Sequence, residues 1–189
     1  MEPERGRGKI MRVMSKPNTA PVPRLWVGTW AKYNEGNLHG KWFDLEDYSD
    51  AAEFYEAAKE FHKDEHDPEF LFNDFEGFPR SLYEESSIHD KLFEFVHLDE
   101  VDREVVKAYA DATGTDEFDF EDATDKLSRV YEGYTTGGEF ASDFVDDTGG
   151  EKVTPDWLVI DWEASWNSAL RYDFIRHYDD DKTFFFWNH

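Results

Sequence analysis

Residues 25–45 read LWVGTWAKYNEGNLHGKWFDL, and this stretch decides how the chain begins to fold. Leu25 and Val27 alternate with Trp26 and Gly28, the two-residue period of a half-buried strand, which predicts a strand over 25–32. Asn34-Glu-Gly-Asn37 is a turn sequence. LHGKWFDL, residues 38–45, then predicts a returning strand. Asp50 is placed to cap a helix, with Glu53 three residues on as its reciprocal partner. Phe54, Ala57, Ala58 and Phe61 follow at helical spacing and predict a helix packed on the sheet. EFLFNDF, residues 69–75, reads as a third strand. Residues 25–79 are thus expected to form a small α+β unit of ββαβ character.

Working outward, residues 80–117 read as helical. IHDKLFEFV sets Ile88, Leu92 and Phe95 at helical spacing, and Asp99 is placed to cap a helix that ends near Gly114. This segment is too small to be stable alone and must lean on its neighbours. Residues 118–189 mix both periods again. RVYEGYT (129–135) predicts a strand, and GGEFASDFVDDTGG (137–150) an acidic helix between glycines. PDWLVIDWEASWNSAL (155–170) starts extended and becomes helical, and YDFIRHYDDDKTFFFWN (172–188) reads as a terminal hairpin turning near Asp179 to Lys182. Residues 1–24 lack periodicity and read as a flexible basic tail, in which Met11 or Met14 are alternative natural starts.

The chain has 189 residues, of which 39% are hydrophobic and 17% aromatic. It can therefore bury a core, chiefly of Phe, Trp and Tyr, and is not a disordered acidic tail. It has no cysteine, so no disulfide framework or thiolate metal site, which suits a reducing cytoplasm. No apolar run approaches the roughly 18 residues that span a bilayer, and the N-terminus has no apolar h-region. Residues 1–24 hold six Lys/Arg against two Glu. The rest holds 14 Lys/Arg against 42 Asp/Glu, a net charge of −28. Such a chain is repelled by nucleic acid and anionic membranes and is drawn to basic surfaces.

Several chemistries would use acids, and most lack their signature. His62 and His66 stand four apart on a predicted helix, a spacing that suits a metal pair. However, His62-Lys-Asp-Glu-His66 is not HExxH, Glu65 is expected to face elsewhere, and the bland reading is two solvent-facing histidines. No calcium loop, P-loop, GxSxG or dinucleotide fingerprint occurs, so no metal, cofactor or catalytic residue is assigned and no enzyme is expected. Salt adaptation would also give an acidic skin, although the abundance of rings weighs against it.

Polyanion mimicry remains. Each strand of duplex DNA shows one charge per ~3.4 Å of axis. Helix residues three or four apart set their Cβ atoms ~5–6 Å from one another. The acids recur through every predicted element, as a continuous charged face requires. A ring-filled core would hold them in place against their repulsion.

The run from RLWVGTWAKYNEGNLHGKWFDL to HKDEHDPEFLFNDFE resembles the opening of the ArdA family of antirestriction proteins. The ending, VIDWEASWNSALRYDFI followed by FFFWN, is similar to that family as well. The resemblance covers roughly residues 25–189. It implies a cytoplasmic DNA mimic, carried by mobile genetic elements, that occupies the DNA-binding groove of type I restriction–modification enzymes. No cofactor and no catalysis are implied. Three small domains in a line are implied, joined through the third into an elongated homodimer: 25–79, the helical 80–117, and 118–189. The family's antirestriction motif corresponds to GGEFASDFVDD, residues 137–147.

The partner-binding acids expected from this reading begin with Asp64, Glu65, Asp67, Glu69, Asp74, Glu76, Glu84 and Glu85. Asp99, Glu100, Asp102, Asp116, Glu117, Asp119, Glu121, Asp122 and Asp125 continue the row. Glu139, Asp143, Asp146, Asp147, Asp161 and Glu163 complete it. The alternative is an acidic binding module for some other basic DNA-binding protein.

Overall fold

The computed structural model describes residues 21–149, 157–179 and 182–188. They fall into two compact units that meet in sequence between Phe120 and Glu121.

The first unit is built on a three-stranded antiparallel sheet. Its strands are β1 (Arg24–Thr29), β2 (Lys41–Asp44) and β3 (Phe70–Glu76), in the order β2-β1-β3. The central strand buries Leu25 and Val27, as their alternation predicts. It is shorter than expected. Thr29 turns its side chain to accept from the Lys32 N–H, and α1 (Trp30–Asn34) starts there, so Trp30 to Lys32 are helical instead of extended. Gly36, at φ +77°, closes the turn that follows. Arg24 belongs to β1 and reaches Glu76 at 2.6 Å, and Pro23 is buried, so the end of the expected tail packs with the sheet, while residues 1–20 lie outside the described residues.

Helix α2 (Ala51–Phe61) starts at Asp50, whose carboxylate accepts from the Glu53 N–H at 2.9 Å. Glu53 reaches back one residue further than expected, to the N–H and hydroxyl of Ser49. Phe54 and Ala58 are the buried face, with Phe54 edge-on to Phe43 and Phe72 at 5.7 and 5.9 Å.

The helical segment belongs to this same unit. α3 (Leu92–Val96) leaves Ile88 outside it, and α4 (Glu100–Thr113) is capped by Asp99 and ended by Gly114 at φ +81°. Phe93 packs against Phe54, the Ile88 N–H donates to the Tyr55 hydroxyl, and Arg103 pairs with Glu46 at 2.5 Å. These are the neighbours on which the segment leans.

α5 (Phe120–Lys126) begins at the boundary. The second unit carries β4 (Val130–Glu132), α6 (Gly137–Thr148), α7 (Trp162–Ser168), β5 (Phe174–Asp179) and β6 (Lys182–Trp187). Its antiparallel sheet has the order β4-β6-β5. Strand β4 is only three residues, and the two glycines expected to precede α6 form its first turn. Residues 155 and 156 and the hairpin turn at 180–181 lie outside the described residues, though the pair Asp179 and Lys182 brackets that turn. Phe184, Phe185 and Phe186 are all fully buried, so β6 is covered on both faces. Phe140, Ala141, Trp166, Phe174 and Phe185 form one core, with Phe140 stacked on Phe185 at 4.2 Å.

Candidate acidic binding surface

The expected contact acids sit where the sequence places them, on the outside. All of them are exposed except Glu65, Glu76, Asp102 and Asp122, which are half-buried. Beneath them lie the rings. Exposure alone does not make a carboxylate available, however, and the structure separates acids that hold the fold from acids that only face out.

Lys32 carries the largest group of the first kind. Its ammonium is nearly buried, 3.0 Å from Asp64 Oδ1 and 3.0 Å from Glu65 Oε1. It also lies 3.1 Å from His62 Nδ1. An ammonium only donates, so His62 Nδ1 accepts and its Nε2 carries the proton, directed at the Val27 carbonyl. Burial pulls the Lys32 pKa down, but the hydrogen bonds and charges of Asp64 and Glu65 more than offset this and hold it above 10.5. Burial pushes Glu65 up, yet Thr29 and Lys32 hold its carboxyl below the usual value. Asp64 is lowered chiefly by its bond to Lys32. His62 is lowered by burial, reinforced by the Lys32 charge.

This corrects two expectations. His62 is fully buried and not solvent-facing, and α2 ends at Phe61, so His62 and His66 share no helix face. Glu65 also joins His62 instead of pointing away. His62, Asp64 and Glu65 bring ligand atoms within 4.8 Å of one another, a metal-like arrangement. The Lys32 ammonium already supplies the positive charge there, and a metal ion would have to displace it.

The second unit engages several acids through backbone N–H groups. Thr136 caps α6 by accepting from the Glu139 N–H, and Glu139 answers with bonds from the Thr135 and Thr136 N–H groups at 2.9 and 3.3 Å. The Thr135 hydroxyl and N–H hold the Glu139 carboxyl below its ordinary value. Asp161 caps α7 by accepting from the Ala164 N–H at 2.9 Å. Glu163 reaches across to the Gly138 N–H at 2.8 Å.

Asp143, Asp146 and Asp147 stand on the exposed part of α6, at the spacing that lines up neighbours on a helix. Tyr131 and Tyr134 lie beneath. Burial raises both phenols, with added effect from Asp147 on each and from Asp143 on Tyr134. A cavity of about 610 Å³ opens beside them, lined by Tyr134, Trp162, Glu139, Asp143 and Glu163 among others.

The family pattern for ArdA antirestriction proteins matches residues 25–177, which runs through both units. The chain belongs to the ArdA antirestriction family. Among curated proteins no sequence matches it significantly. Membership gives this ArdA chain an antirestriction function and restriction–modification enzymes as its targets in general. Among the described residues, no helix is long and apolar enough to cross a membrane.

Proposed function

We propose that this ArdA chain acts by occupancy and not by catalysis: its acidic face takes the place of duplex DNA in the binding groove of a type I restriction–modification enzyme in the cytoplasm. The observation that carries the reading is the division between rings inside and carboxylates outside in both units. The core fixes the backbone, and the backbone fixes the acids, so the charge is held as a surface and not as a cloud. Pairing such a surface with a type I enzyme's basic groove would release bound counterions, as the pairing of DNA with that groove does.

Two copies of the chain from residue 25 double the charge of −28 to −56, roughly that of 28 base pairs. A homodimer through the second unit is part of the proposal. It is supported by Trp157 and Val159, which are 79% and 92% exposed with Leu158 between them. Sedimentation of the wild type and of Val159→Glu tests it. The expected result is a dimer that the substitution weakens, and a wild-type monomer at all concentrations contradicts it.

The function itself is tested by titrating the purified chain into a type I methyltransferase core bound to fluorescent target DNA. Displacement at near-stoichiometric protein is expected. A folded chain that displaces nothing from that core, yet binds another basic DNA-binding protein, would favour the broader acidic-module reading.

A further inference from the structure

We infer that Glu163 is a positioning residue for the acids of α6 and not a contact acid. The inference rests on the functional reading above, because it concerns which carboxylates meet the partner.

The second N–H of a helix has no partner within the helix. In α6 that group is Gly138, and Glu163 Oε2 accepts from it. Thr136 serves the next N–H, so the first turn of α6 is held by two acceptors, one from its own cap and one from α7. The other carboxylate oxygen of Glu163 is engaged as well, accepting from Asn167 Nδ2 at 3.2 Å. That amide also donates to the Glu163 carbonyl at 2.9 Å, which fixes the side chain from its own helix.

The approach of α7 to α6 is correspondingly close. A Cβ on Gly137 would lie 2.2 Å from the Trp166 ring, and one on Gly138 would lie 2.9 Å from Glu163 Oε2. Two glycines therefore open the space into which Trp166 and Glu163 dock, one turn of α7 apart. Trp166 is buried edge-on to Phe140, at 5.8 Å, in the same core. Glu163 thus sets the pitch of α6 at its start, and the pitch decides where Asp143, Asp146 and Asp147 project. Although the residue is exposed, both of its carboxylate oxygens are engaged within the protein, by the Gly138 N–H and the Asn167 amide.

The test compares Glu163→Gln and Glu163→Ala with the wild type, in DNA displacement across a salt series and in amide hydrogen exchange of the free chain. Gln keeps an oxygen for Gly138 but removes the charge. Glu163→Gln is expected to keep the wild-type salt slope, whereas loss of a contact charge would lower the slope by about 1. Glu163→Ala is expected to weaken displacement roughly tenfold and to speed exchange at Gly138 by a similar factor, with Gln restoring most of both. A slope lowered in Glu163→Gln as much as in Asp143→Asn would make Glu163 a contact acid and overturn the inference. Unchanged Gly138 exchange in Glu163→Ala would overturn it too, and this arm needs no partner. A wild-type chain that displaces no DNA counts against the functional reading alone, while the exchange arm still decides the positioning.

Discussion

The two units solve one problem in different ways. Both must keep a dense set of carboxylates fixed against their own repulsion. The first unit adds cations to its helix caps at Asp50 and Asp99. Lys32 gathers Asp64 and Glu65, Arg24 holds Glu76, and Arg103 holds Glu46. The second unit relies mainly on helix starts, beside one cation pair of Lys126 with Asp122. Glu139, Asp161 and Glu163 accept from backbone N–H groups at the first turns of α6 and α7. A cation neutralises the acid it holds, but an N–H donor leaves the formal charge in place. Acids held in this way, such as Glu139 and Asp161, are ordered while their negative field is kept.

The largest expected effect breaks the second unit alone. Phe140 is fully buried and touches Tyr131, Tyr134, Phe144, Trp166, Phe174 and Phe185. Phe140→Ala should cost about 3–5 kcal/mol, as for other ring deletions in packed cores. Hydrogen exchange should lose protection in α6 and β6 while β1 and β3 keep theirs.

Next comes the buried cation of the first unit. Lys32→Met would leave Glu65 and His62 facing each other without the ammonium. The cost should be about 2–3 kcal/mol, below the range for fully buried pairs because Asp64 is largely exposed. Urea unfolding would measure it, and no change would show the cluster to be ornamental.

Acid sharpens the same contrast. His62 is held below its ordinary 6.5, so the unfolded chain takes up a proton that the folded cluster refuses. Its contribution is complete above that value and is lost as pH falls below it. Asp64 and Glu65, held below 3.8 and 4.5, add a second loss as pH falls through and below those values. Exchange protection in the first unit should therefore start to fall by pH 6.5 and not wait for 4.5.

The smallest effect is on binding. Asp143→Asn removes one charge of many on an exposed helix, so it should weaken DNA displacement only slightly and lower the salt slope by about 1. Complete loss from this single change would point to one essential carboxylate and against a distributed surface.

Local signals in the sequence carried most of the fold. Asp50, Asp99 and Gly114 mark their helix ends because caps act over three or four residues. The hairpin near the C-terminus was legible from its rings and the acidic turn between them. Thr29 was not, since its strand pattern runs on through Trp30 and the cap only operates once the chain has turned. The site was legible as a class of residue and not as individual roles. His62 reads as one of two surface histidines until Lys32, thirty positions away, is brought against it. Glu163 reads as one more acid until α7 docks on the glycines of α6. Both roles depend on contacts distant in sequence.

The most direct measurement is the affinity of the chain for a DNA-free type I methyltransferase core over a range of salt concentrations, repeated with the core already filled with target DNA. Mimicry predicts that binding weakens steeply and linearly in log–log form as salt rises, and that bound DNA excludes the chain. Binding indifferent to salt, or a ternary complex in which the DNA stays in its groove, would contradict it.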